Sequence, residues 1–288
     1  MKIISMIRKI PWDSLDTMLD QLSGSNAGTI PKICHHGPRE IRSGARKLKG
    51  APKELAAFQA RTYHDRTRGG IYIGGWGSWQ RILVDHPEIR FLANVYDQMD
   101  NEICAFVRQI GADDSLTVRS FSIRDRDSRA PAKSSYIIYD DLPSEENVRP
   151  LVGFLKEWQA AGFPSLLTCC SAGLFRSPVT ALAAHGMTTG DPTVSAIRMV
   201  MSGIFGHSHL DSNWEIARIA DPMLGFGGRL HAAALNVQRA TIERNRLLGE
   251  DATPGELLER LQEIFANPWD EEQALEYNKR HGQFSKSC

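Results

Sequence analysis

The chain has 288 residues, room for one large domain or two small ones. Lys plus Arg and Asp plus Glu both number 34, so no net field draws it to nucleic acid or to an anionic membrane. It is 42% hydrophobic and 24% charged, an ordinary make-up for a globular protein, and no apolar run approaches the ~20 residues that span a bilayer. The start, Met1-Lys-Ile-Ile-Ser-Met-Ile-Arg8, has too short an apolar core for a signal peptide. Five cysteines without a CxxC pair exclude a disulfide framework and a zinc ribbon. A reducing, cytoplasmic setting is expected.

Signals are weak over the first 60 residues. Leu15, Met18, Leu19 and Leu22 share one face of a short helix over 12–22. Cys34-His35-His36 reads as a loop rather than a metal site, because adjacent side chains diverge and no third ligand is near. The basic stretch 39–53 reads as a solvated surface. From residue 70 the pattern sharpens. Strands are expected at 70–75, 89–95, 116–123, 136–139 and 165–169, with short helices at 78–84 and 100–110 between the first of them. Val148, Leu151, Val152, Leu155 and Trp158 form the apolar stripe of a longer helix that Gly162 stops. A helix with Val179, Leu182 and Ala183 inward is expected to end near Gly186. Asp191-Pro192 opens another, running to about Met201. Ser212 and Glu215 read as a capping box for a helix to about Leu224. Residues 230–247 look helical, and Thr253-Pro-Gly-Glu256 opens a last helix. The pattern predicts an α/β fold: a central mixed sheet of about four to five strands, flanked by helices, with a helix-rich C-terminal third.

The chemistry concentrates at Leu166-Leu-Thr-Cys-Cys-Ser-Ala-Gly-Leu-Phe-Arg-Ser177. An apolar strand ends in Cys170. The loop Ser171, Ala172, Gly173, Leu174, Phe175 follows, then Arg176, Ser177 and a helix. Backbone amides of such a loop, with the positive end of the helix dipole, form an anion cradle. A thiol at its start is expected to ionise at neutral pH, as cysteines at helix N-termini or beside Arg do. The Arg176 guanidinium can hold two phosphate oxygens at once. Small residues let the backbone come close to the ligand. The Ser177 hydroxyl can hydrogen-bond the sulfur. Of the cysteines with enough chain after them, Cys170 alone is followed by Arg at the sixth position.

Cys170-Ser-Ala-Gly-Leu-Phe-Arg-Ser177 resembles the signature loop of the cysteine-dependent protein-tyrosine and dual-specificity phosphatases. Ile71-Tyr-Ile-Gly-Gly, Phe91-Leu-Ala-Asn-Val and Tyr139-Asp-Asp-Leu-Pro resemble that superfamily's early strands and acid-bearing loop. Residues 213–225, with Ala220-Asp-Pro-Met-Leu-Gly, resemble a bacterial tyrosine-phosphatase-like subgroup. The resemblance spans roughly residues 68–230. It implies a protein-tyrosine-phosphatase-like sheet and a two-step mechanism without cofactor or metal. Cys170 is the nucleophile. Ser171, Ala172, Gly173, Leu174, Phe175 and Arg176 bind the phosphate. Ser177 assists departure of the sulfur, and an aspartate acts as acid and then base. Asp140 and Asp141 are the candidates for that role; the position before Leu142-Pro143 favours Asp141. The family places His before the nucleophile, where this chain has Cys169. Cys169 reads as a buried spacer rather than a redox partner, because adjacent cysteines close a strained ring.

The domains expected are an N-terminal extension of unknown role (1–60), a phosphatase-like catalytic domain (61–250) and a C-terminal helix with tail (251–288). The expected partner is a phosphorylated protein or a small phosphate ester, and neither membrane nor nucleic acid. Apolar Leu174 and Phe175 argue against a highly phosphorylated lipid head. Gly206-His-Ser-His209 reads as a polar loop, not a metal site. The alternatives are a phosphate-binding or scaffold protein of the same fold with little turnover, a nucleic-acid 5′-phosphatase, and a rhodanese-like sulfurtransferase.

Overall fold

The computed structural model describes residues 32–36, 70–75, 78–96, 100–111, 115–123, 143–170, 173, 175–201, 213–250, 252–274 and 276. The helix expected over 12–22, the basic stretch 39–53, the strand at 136–139 and Asp140 and Asp141 lie outside these residues, as does the 206–209 loop.

Among the described residues five strands form one sheet in the order β1-β2-β5-β3-β4. They are β1 (Lys32–His36), β2 (Gly70–Gly75), β3 (Ile89–Asn94), β4 (Thr117–Ser120) and β5 (Ser165–Cys170). A mixed sheet is expected; among the described residues every strand pair is parallel. The reason is visible in the connections. Helices α1 (Trp79–Asp85) and α2 (Asp100–Gln109) carry the chain from β2 to β3 and from β3 to β4, and α3 (Glu145–Ala160) precedes β5. Each crossover returns the chain to run the same way. Cys34-His35-His36 is not a loop but part of β1, which pairs with β2 from Lys32 opposite Gly70 to His36 opposite Gly74. The N-terminal 60 residues therefore contribute a strand to the sheet.

The central strands β2 and β5 are buried along their whole length, as parallel strands covered on both faces must be. Alternate residues feed two cores. Ile71, Ile73, Leu166 and Cys170 join the larger one. Tyr72, Leu92, Leu167 and Cys169 join the smaller one, with Trp79 and Ile82 of α1 and Ile103 and Val107 of α2.

The larger core is roofed by helices. After the loop come α4 (Arg176–Thr189), α5 (Pro192–Met201), α6 (Trp214–Leu224), α7 (Arg229–Gly249) and α8 (Pro254–Ala266). Helix α4 is buried from Arg176 through Gly186, as a central helix must be. It does not end near Gly186. At that position a Cβ would stand 3.2 Å from Pro192 and 3.3 Å from Phe226, so the glycine admits α5 and the α6–α7 turn; the helix stops at Gly190 (φ 72°). His185 Nδ1 lies 2.8 Å from Ser195 Oγ, tying α4 to α5. Helix α6 starts one residue later than expected, with Asn213 as its N-cap, and Glu215 pairs with Arg218; Ser212 lies outside the described residues. Helix α8 opens at Thr253 as expected, and there Thr253 and Glu256 close a capping box. Among the described residues no helix is long and apolar enough to cross a membrane.

Candidate active site

Cys170 is the last residue of β5 and lies opposite Gly75 of β2. The chain then turns through the loop into α4, so the thiol stands at the C-terminal edge of the sheet beside a helix N-terminus. Its Sγ is 3.1 Å from Ser177 Oγ, and Ser177 Oγ is 3.3 Å from the Gly74 carbonyl oxygen. One hydroxyl proton serves one acceptor at a time. When Cys170 is a thiol, its S–H donates to Ser177 Oγ and the hydroxyl donates to Gly74. When the sulfur is a thiolate, the hydroxyl turns to it. The contact can therefore follow the charge on the sulfur.

Two further features fix the turn. Gly173 has φ +73°, and a Cβ there would lie 2.9 Å from the backbone of Gly74 and Gly75. The loop thus packs against the glycine end of β2. Thr168 Oγ1 lies 3.1 Å from the Ser177 carbonyl oxygen and 3.3 Å from that of Tyr72, joining the start of α4 to β5 and β2. Phe175 is the N-cap of α4 and makes no side-chain cap. Ser171, Ala172 and Leu174 lie outside the described residues.

Arg176 opens α4 and is 4% exposed. Its Nη1 donates to the Ile123 carbonyl oxygen at 2.6 Å, and its Cζ sits 5.1 Å from the centre of the Tyr96 ring. Such a cation over an aromatic face is worth about 0.5–2 kcal/mol. The guanidinium is thereby set by groups that follow β3 and β4, not by the loop alone.

Cys169 occupies the position before the nucleophile, and it points the other way. Successive strand residues face opposite sides, so Cys170 enters the larger core and Cys169 the smaller. Burial pushes the Cys169 thiol well above its ordinary range, and the neighbouring Cys170 adds to this. It stays an S–H donor, reaching Asn94 Oδ1 at 3.8 Å.

The structure brings together Cys170, Gly173, Phe175, Arg176 and Ser177 of the residues expected in the site. It adds Thr168, Asn94, Tyr96 and the Ile123 carbonyl, which the sequence reading missed. Asn94 did carry a signal: a polar amide closing an apolar strand needs partners when buried. No protein-family model matches the chain, and no curated protein or solved structure matches it either.

Proposed function

We propose that the chain is a cysteine-dependent phosphatase. Its substrates are phosphate monoesters, in the first place phosphotyrosine or another phosphoprotein side chain. The observation that carries this reading is the 3.1 Å contact between Cys170 Sγ and Ser177 Oγ. It sits where a strand, a glycine-bearing loop and a helix N-terminus meet. Cys170 is fully buried in the larger core, and this hydroxyl gives its sulfur a hydrogen-bond partner that apolar packing alone does not.

The reaction runs in two displacements. The Cys170 thiolate attacks phosphorus; the S–P bond forms as the ester P–O bond breaks. Asp141 gives its proton to the departing oxygen, a contribution of about 10²–10⁴ in rate. Loop amides and Arg176 hold the equatorial oxygens while charge spreads over them. Water then attacks the cysteinyl-phosphate, the Asp141 carboxylate takes its proton, and the S–P bond breaks. The thiolate that leaves receives the Ser177 hydroxyl hydrogen bond. Asp141 holds this role by its place before Leu142-Pro143, with Asp140 as the competing acid.

Hydrolysis of para-nitrophenyl phosphate by the wild type, Cys170→Ser, Asp141→Ala and Asp140→Ala tests the reading. The wild type turns over, Cys170→Ser is inactive, and Asp141→Ala loses about 10²-fold or more in kcat. Loss confined to Asp140→Ala reassigns the acid. Full activity in Cys170→Ser removes the mechanism. A wild type that binds vanadate without turnover leaves a phosphate-binding protein of the same architecture.

A further inference from the structure

Asn94 is fully buried at the end of β3, directly opposite Cys169. A buried amide that leaves a donor or acceptor unmet costs about 1–3 kcal/mol, so its partners define what it is for. Its Oδ1 accepts from Cys169 on β5 at 3.8 Å. Its Nδ2 donates to the Tyr96 carbonyl oxygen at 2.5 Å and to Ser120 Oγ at 3.0 Å. Its backbone carbonyl accepts from Phe121 N at 2.7 Å. One residue thus joins β5, the exit of β3 and the exit of β4.

Those two exits are the segments that hold Arg176. Tyr96 supplies the ring under the guanidinium, and Ile123 supplies the carbonyl that accepts from Nη1. Both stand beyond the last residues of their strands, Asn94 and Ser120; the backbone bond from Val95 N to Cys169 O at 2.7 Å still ties the first residue past β3 to β5. The Asn94 side chain adds a second tie on that side through Tyr96 O and a link to the end of β4 through Ser120. The 121–123 segment continues from this anchor by Ile123 N donating to Phe121 O at 2.9 Å. The ladder satisfies backbone groups only, so the buried side-chain amide needs partners of its own. The Asn94 amide is spent on the loops that position a cation.

We propose that Asn94 is a positioning residue: by tying the β3 and β4 exits to β5 it sets the Tyr96 ring and the Ile123 carbonyl, and through them the orientation of Arg176 toward bound phosphate. This rests on the reading of Arg176 as a phosphate-holding group. In this chain the strand residue before the nucleophile acts through Asn94, from the opposite face of the sheet. Cys169 thereby supports the arginine rather than the loop.

The test is a double-mutant cycle on the full chain. Wild type, Asn94→Ala, Arg176→Lys and the double variant are compared by calorimetric affinity for inorganic phosphate and by kcat on para-nitrophenyl phosphate, with melting temperatures recorded. Asn94→Ala is expected to weaken phosphate binding at least threefold and lower kcat at least tenfold. In the Arg176→Lys background the same change has less than a twofold effect on both, because the group it positions is gone. A residue that only stabilises the fold moves the melting temperature and leaves no such coupling. Equal effects in both backgrounds, or none in either, overturn the proposal. If Asn94→Ala does not fold, Ser120→Ala, which removes one partner of the Asn94 amide, replaces it in the cycle with a smaller coupling of the same sign expected. A wild type that binds phosphate through Arg176 without hydrolysing the ester overturns the catalytic reading alone, and the binding arm still decides the role of Asn94. A wild type that does not bind phosphate overturns both.

Discussion

Position 173 admits only glycine. Its φ of +73° is costly for a residue with a Cβ, about 1–2 kcal/mol, and that Cβ would stand 2.9 Å from backbone atoms of Gly74 and Gly75. Those atoms belong to a fully buried strand and cannot retreat without moving the sheet. Gly173→Ala therefore displaces the loop rather than the strand. A displacement of about 1 Å at reacting groups costs about 10²-fold in rate, so kcat/KM should fall by that order while the circular-dichroism spectrum is kept; unchanged kinetics would show that the loop does not use this turn. At this scale the site was legible wherever its residues fall within one short loop. Cys170, Gly173, Arg176 and Ser177 stand at a spacing that local geometry alone explains. Asn94 was not legible, because its partners Tyr96, Ser120 and Cys169 come from three different strands or strand exits. The opposite facing of Cys169 and Cys170 was written in the period of the strand, and their separation into two cores follows from it.

Helices were legible through their apolar spacing, and their ends less so. The stripe from Val148 to Trp158 is the buried face of α3. Gly186, by contrast, reads as a stop in sequence, and its use as a contact surface for Pro192 and Phe226 depends on elements not yet placed. The Ala220-Asp-Pro-Met-Leu-Gly motif gains a physical role in the same way. Asp221 is 3% exposed, and its carboxylate accepts from Gly228 N at 2.6 Å, Leu230 N at 2.6 Å and His231 N at 3.2 Å. It caps α7 from the last turn of α6, where the helix dipole favours a negative charge. Asp221→Ala leaves the buried Leu230 amide without this partner and removes the cap from the other two, and should destabilise by about 2 kcal/mol, a fall of roughly 4–8 °C in Tm; a shift under a degree would show the cap to be dispensable. Further along α7, Arg244 is 2% exposed and burial pushes its guanidinium down to about 10. Its Nη1 donates to Asn245 Oδ1 at 2.9 Å, while Nε and Nη2 have no hydrogen-bond partner among the described residues. Replacing a buried charge that lacks a carboxylate by an apolar chain of similar length removes its desolvation cost. Arg244→Met should therefore leave Tm unchanged or raise it, and a marked fall would show that the guanidinium is compensated by a group outside the described residues.

At the scale of the molecule, the alternation of strands and helices made the α/β class legible, but strand direction was not. Direction depends on whether each connection crosses back to the end where the previous strand began, and the helices between β2, β3 and β4 do so, making these strands parallel. The membership of β1 was likewise hidden. Its Cys34-His-His core looks polar in sequence, yet it pairs along β2 to Gly74, the residue whose carbonyl meets Ser177 and whose backbone meets Gly173. A chain starting at residue 61, the boundary that composition suggests, would keep every residue of the proposed site and lose this strand. The outer edge of β2 would then present unpaired N–H and C=O groups over Gly70–Gly75, a template for pairing with other chains. It would also free the strand end on which the loop rests. Such a chain should melt below the full-length protein, associate on size-exclusion chromatography and hydrolyse para-nitrophenyl phosphate with a lower kcat. If it stays monomeric with full-length Tm and kcat, β1 is an accessory to the sheet rather than a support for the loop.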